Sequence, residues 1–164
     1  MTVRAAPLQA GIARFSSRSL MMPNLKATSK EEIISILAHQ LEKEKFIEDG
    51  AILLDEALKR EAILNTALEH GIAFPHVRNL EGGALTLALG TSKKGMNFDP
   101  STHMLSHIIF FIVIPTAASI FYLKLLAGLA ETFSNKTERD NLLSAQTPEQ
   151  LWNALIKATH STIK

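Results

Sequence analysis

Apolar residues recur at helical spacing in several stretches of the chain and run without interruption in one, and that contrast predicts a layered α/β fold. Ser29-Lys30-Glu31-Glu32 is a capping box, and the helix it opens carries Ile33, Ile34, Leu37 and Leu41 on one face. Asp49-Gly50 punctuates the chain, and a second helix is predicted from Ala51 to about Ile63, with Leu54, Ala57, Leu58 and Ala62 as its buried stripe. After Gly71, the triplet Ile72-Ala73-Phe74 reads as a short strand ended by Pro75. Gly82-Gly83 is a turn, Ala84 to Gly90 a weakly alternating strand, and Lys93-Lys94-Gly95 a loop. His107 to Ile114 is continuously apolar and rich in isoleucine and phenylalanine, the pattern of a strand covered on both faces. Pro115 stops it. A helix is expected from there to about Phe133, burying Ile120, Leu123, Leu126, Leu129 and Ala130. Asn135-Lys136-Thr137-Glu138 caps a short helix. Thr147-Pro148-Glu149-Gln150 opens a last one that buries Leu151, Leu155 and Ile156.

Composition narrows the class. The 164 residues fit one domain, with 46% hydrophobic and 20% charged residues. With no cysteine there is no disulfide framework, thiolate metal site or thiol nucleophile, which is compatible with a reducing cytosol. A net charge of +1 gives no electrostatic basis for a nucleic-acid partner. The longest apolar run, His107 to Leu123, is interrupted by Pro115, Thr116 and Ser119, so it reads as strand then helix and not as a membrane span. Arg4, Arg14 and Arg18 precede the first acidic residue, Glu31. That start has transit-peptide composition, but the better reading is a flexible extension over residues 1–13, with one domain over 14–164. Met21 and Met22 are expected to pack near the N-terminal strand.

Six histidines are present: His39, His70, His76, His103, His107 and His160. A histidine taken at random is more often structural than catalytic, and local features lift His76 above that. Pro75 fixes its own φ and holds Phe74 extended, so the imidazole is aimed from a stiff turn at a strand end. Gly71 allows an unusual dihedral just before the strand. Arg78, two residues on, carries a guanidinium that can grip phosphate oxygens in pairs, and Arg60 is a second such group. A neutral imidazole nitrogen can attack phosphorus, and phosphoryl transfer asks mainly for positioning and positive charge. A metal site is not expected. His70 and His76 are separated by a glycine and a proline, and His103 and His107 would need a helix where the pattern gives loop and strand.

Arg60-Glu61, Thr66 and Gly71-Ile72-Ala73-Phe74-Pro75-His76-x-Arg78 together resemble the phosphorylation site of the type-2 enzyme IIA domains of the bacterial phosphoenolpyruvate-dependent phosphotransferase system, the fructose/mannitol class. The resemblance runs over about residues 14–160 and includes Leu25 to Glu32. It implies a single mixed five-stranded sheet flanked by helices on both faces. It also implies that His76 takes a phosphoryl group from an HPr-like phosphocarrier, as a phosphohistidine intermediate. Arg60 would lie near the site, and Thr66 falls on a family position that can lend a hydrogen bond. No metal and no organic cofactor is implied.

Two departures stand out. The family places a second histidine seven residues after the proline that ends the long strand, and here that position is Tyr122. A phenol donates one hydrogen bond but cannot become cationic. Thr102-His103 and His107 also differ from the family pattern, reading as surface drift or as a relocated histidine partner. The leading expectation is a cytoplasmic, nitrogen-type regulator that binds a target protein according to its phosphorylation state, which suits a stand-alone length. The alternatives are a sugar-transport enzyme IIA passing phosphate to an enzyme IIB for fructose or mannitol, and a degenerate binding module that is never phosphorylated. No direct membrane insertion is expected.

Overall fold

The continuous apolar run forms the middle of the sheet. A computed structural model describes residues 10–80 and 83–164. The strands are β1 (Met21–Met22), β2 (Ala67–Leu68), β3 (Ile72–Ala73), β4 (His76–Leu80), β5 (Thr86–Met96) and β6 (Ser106–Pro115). The helices are α1 (Lys30–Lys43), α2 (Gly50–Ile63), α3 (Ser119–Thr132), α4 (Lys136–Ser144) and α5 (Pro148–Thr159). The sheet order is β1-β5-β6-β3-β2, with β4 also paired to β6. β5 runs antiparallel to β6, while β3 and β4 run parallel to it. All of β6 from Ile108 to Pro115 is buried, as a strand with helices on both faces requires.

The expected five strands are six because Phe74-Pro75 splits one track in two. The register against β6 is unchanged across the break: Ala73 lies opposite Ile109 before it and His76 opposite Ile112 after it. His76 is therefore the first residue of a resumed strand, not a residue beyond a strand's end.

The helix caps fall where the sequence puts them. The Ser29, Asn135 and Thr147 side chains accept backbone N–H groups at the starts of α1, α4 and α5. The buried faces are less faithful. α2 buries Leu53, Ala57 and Glu61, with Leu54 and Leu58 half-buried and Ala62 exposed. α3 buries Tyr122, Leu125, Gly128, Leu129 and Thr132, while Ile120, Leu123 and Ala130 face solvent. Ile156 is also exposed, and Thr159 is buried in its place. α3 is apolar nearly all round, so periodicity does not select a face; close approach to the C-terminal segment does, with Ile163 against Gly128.

Two further expectations change. Lys93-Lys94-Gly95 is not a loop but part of β5, where the pairing shifts between Thr91 and Met96. Within the expected flexible extension, residues 1–9 lie outside the described residues. Gly11–Arg14 form a 3-10 turn that buries Ile12. The aromatic core stacks Phe74 on Phe110 at 5.3 Å between centroids, with Phe133 5.5 Å beyond. Met21 is buried in β1. Among the described residues no helix is long and apolar enough to cross a membrane.

Gly95 has φ +74°, and a Cβ there would lie 2.7 Å from the His107 ring. Gly95→Ala is expected to destabilise the fold by about 2 kcal/mol or more, from the left-handed backbone and the clash together. In urea denaturation, adding His107→Ala should return the clash part only. An unchanged midpoint for the single variant would contradict this packing.

Candidate functional site

The break in the strand track is what presents the histidine. Pro75 has no N–H to give, but its carbonyl accepts the Ile112 N–H at 3.1 Å, so the track stays attached to β6. The backbone groups of Phe74 turn elsewhere. Its N–H donates to the Thr66 carbonyl at 3.1 Å, and its carbonyl lies 2.9 Å from His76 Nδ1. A carbonyl only accepts, so Nδ1 carries the proton and Nε2 keeps a free lone pair. The β2–β3 connection that brings Thr66 beside Phe74 turns through His70 and Gly71, at φ +68° and +74°. The glycine anticipated for an unusual dihedral has one, and so does its histidine neighbour.

His76 is buried to 7% exposure. Burial pushes its pKa below the ordinary 6.5; the Phe74 bond opposes this, and the nearby Arg60 and Arg78 guanidiniums add to it. The imidazole is accordingly neutral and nucleophilic at neutral pH. Tyr122 reaches it from α3, with ring centroids 5.7 Å apart. The Arg78 guanidinium sits over the Tyr122 ring, 5.5 Å from its centroid. Burial raises the phenol's pKa while both arginines lower it. Arg60 comes from the last turn of α2. Among the described residues no carboxylate lies within salt-bridge distance of Arg60 or Arg78.

Four of the five anticipated residues thus converge: His76, Arg78, Arg60 and Tyr122. Thr66 is also close, but its hydroxyl donates to Glu61 Oε1 at 3.1 Å, as does its N–H at 2.8 Å. Glu61 enters the sequence reading only beside Arg60 in the resembling motif, with no role of its own. Its signal was a charged residue at i+4 from Ala57 on the face that packs inward. His107 lies on β6 with its Nδ1 3.0 Å from the Ser92 carbonyl, so its ring is engaged there and not with His76. Among the described residues no three histidine, aspartate or glutamate side chains converge as metal ligands would.

Residues 15–158 match the family described as "Phosphoenolpyruvate-dependent sugar phosphotransferase system, EIIA 2". The nitrogen regulatory protein of Pseudomonas aeruginosa is 27% identical over 85% of this chain and 89% of its own length. The fructose-specific EIIABC component of Bacillus subtilis is 25% identical over 78% of this chain, which spans only 20% of that relative. Among solved structures, the nitrogen regulatory protein IIA-Ntr of Neisseria meningitidis superposes with a TM-score of 0.78, at 25% identity, covering 88% of this chain and 98% of that one.

A depressed His76 pKa has a definite sign. Between the lowered folded value and 6.5, the unfolded chain binds the proton that the folded chain refuses, so stability rises with pH across that window and falls as pH drops through it. In an NMR titration the His76 ring is expected to change charge below 6.5, and replacing both arginines by glutamine should recover only part of the shift, because burial is the larger cause. A midpoint at or above 6.5 would contradict this environment.

Proposed function

The chain belongs to the phosphoenolpyruvate-dependent sugar phosphotransferase system EIIA 2 family, and from that premise we propose that His76 Nε2 accepts a phosphoryl group from an HPr-like phosphocarrier protein. The observation that carries this reading is the bond from Nδ1–H to the Phe74 carbonyl, which leaves Nε2 as the ring nitrogen with a lone pair. The Nε2 lone pair attacks phosphorus. The phosphorus–nitrogen bond of the donor's phosphohistidine breaks, and its electron pair returns to the donor imidazole. His76 keeps its Nδ1 proton throughout, and the Phe74 carbonyl stabilises the positive charge that the ring gains. Arg60 and Arg78 hold the phosphoryl oxygens as the group passes between the two rings. Thr66 supports the site through its carbonyl, which accepts the Phe74 N–H. The domain works as a phosphoryl carrier, with no metal or organic cofactor in the step.

The partner on this reading is a protein. Ile63 and Leu64 at the end of α2, and Ile120, Phe121 and Leu123 on α3, are exposed apolar side chains on the two helices that supply Arg60 and Tyr122. A phosphocarrier of this system is a cytoplasmic protein, which puts the chain there too. The output we favour is regulatory, of the nitrogen type: phosphorylation at His76 changes which target protein is bound. Likeness to nitrogen regulatory proteins in both sequence and structure supports this. So does Tyr122, because a phenol cannot take up a proton to help a phosphoryl group leave for an enzyme IIB. The alternative is transfer to an enzyme IIB for a sugar such as fructose, favoured by likeness to the fructose-specific component. A binding module that is never phosphorylated is the reading least supported by the arrangement around His76.

With phosphoenolpyruvate, enzyme I and a phosphocarrier, the wild type is expected to gain one acid-labile phosphoryl group and His76→Ala none. Arg60→Ala and Arg78→Ala should slow the gain by roughly tenfold to a hundredfold each. Equal labelling of His76→Ala would remove His76 from the reaction. Tyr122→His is expected to speed onward transfer to an enzyme IIB; a rate no different from wild type would deny Tyr122 any part in retaining the group.

A further inference from the structure

Among the described residues, Glu61 is the buried ionisable group beside Arg60 that phosphoryl transfer leaves without a role. It sits in the last turn of α2 and is only 4% exposed. Oε1 takes both bonds from Thr66, at 2.8 and 3.1 Å, while Oε2 has no hydrogen-bond partner among the described residues. Burial pushes its pKa up, and the Thr66 bonds, Lys30 and Arg60 pull it back down. A buried carboxylate with an idle oxygen is a poor choice for packing alone, since an apolar residue of similar volume leaves nothing unsatisfied.

What the carboxylate holds leads to the histidine. Thr66, gripped at its N–H and hydroxyl, offers its carbonyl to the Phe74 N–H at 3.1 Å. Phe74 in turn offers its carbonyl to His76 Nδ1–H at 2.9 Å. Phe74 is held on its side-chain face by Phe110, in its backbone by Pro75, and at its N–H by Thr66, and together these set where its carbonyl points. A carboxylate holds the Thr66 donors more tightly than a neutral acceptor would, and the line carries that hold forward as backbone position.

We propose that Glu61 is a positioning residue that fixes the orientation and tautomer of His76 through Thr66 and Phe74. This rests on Nε2 being the acceptor nitrogen. Glu61 touches neither the phosphoryl group nor the imidazole. It keeps the proton on Nδ1, and so the lone pair on Nε2, before any partner arrives.

The test compares Glu61→Leu with Glu61→Gln, reading folding by thermal denaturation, the His76 tautomer by nitrogen-15 NMR, and the rate of phosphoryl gain from the phosphocarrier. Wild type is expected to show the Nδ1–H tautomer. Glu61→Leu, measured where it is folded, should show both tautomers and a rate lower by about tenfold or more. Glu61→Gln, whose amide oxygen can replace Oε1, should keep the tautomer and a rate within about threefold, with faster exchange of the Nδ1 proton because a neutral acceptor holds Thr66, and through it Phe74, less firmly. A folded Glu61→Leu with an undisturbed tautomer and rate overturns the proposal and leaves Glu61 a stability residue. Should Glu61→Leu not fold, an Nδ1 proton exchange rate in Glu61→Gln equal to wild type overturns it instead. Failure of the wild type to be phosphorylated would strike the acceptor reading alone, since the tautomer reports on positioning without a donor.

Discussion

Everything at this site depends on a proline that interrupts a strand without moving it. The track beside β6 keeps its register from Ile72 to Val77, yet between Ala73 and His76 the Phe74 backbone is released from the ladder. The Phe74 N–H and carbonyl then serve the site: one ties it to Thr66, the other to the imidazole. Pro75 makes this possible because it has no N–H of its own to place, while its carbonyl still anchors Ile112. The imidazole is thus held by backbone that is itself held by the aromatic core, through the stack of Phe74 on Phe110.

A neutral, nearly buried imidazole close to two guanidiniums is a site that waits for an anion. Arg60 and Arg78 disfavour a proton on His76, and on the proposed function the same charges would hold the phosphoryl group. Tyr122 sets the asymmetry. It packs against the imidazole and under Arg78, giving shape and a π-face where a second imidazole would give a proton near neutral pH. A phosphoryl group would be accepted readily and released less so, which suits a protein whose phosphorylated state has to last long enough to be read.

Helix ends were more legible in the chain than packing. The caps at Ser29, Asn135 and Thr147 announce themselves by hydrogen-bonding chemistry at fixed spacing, whereas Pro75-His76 with Arg78 is a common pattern by itself and was singled out together with Arg60 by the resemblance to type-2 enzyme IIA domains. The face of α3 was not legible, because a helix with leucine or isoleucine on most sides has no single stripe; contacts far away in the chain chose Tyr122 and Leu125 over Ile120 and Leu123. Glu61 escaped for the opposite reason. A charge beside other charges in a helix, as Glu61 is beside Lys59 and Arg60, reads as solvent-facing, and only the tertiary structure turns it toward Thr66. The strand after Pro75 was missed because a proline in a short apolar run normally ends it, and here β6 recaptures the chain at the very next residue.

The most direct measurement is the identity of the phosphorylated nitrogen. With histidine labelled by nitrogen-15, phosphorus–nitrogen coupling in the phosphorylated protein assigns the bond to one atom of the His76 ring. Phosphorus on Nε2, with the proton still on Nδ1, is the expected result. Phosphorus on Nδ1 would mean that the Phe74 carbonyl does not hold that nitrogen, and would contradict the way this fold presents its histidine.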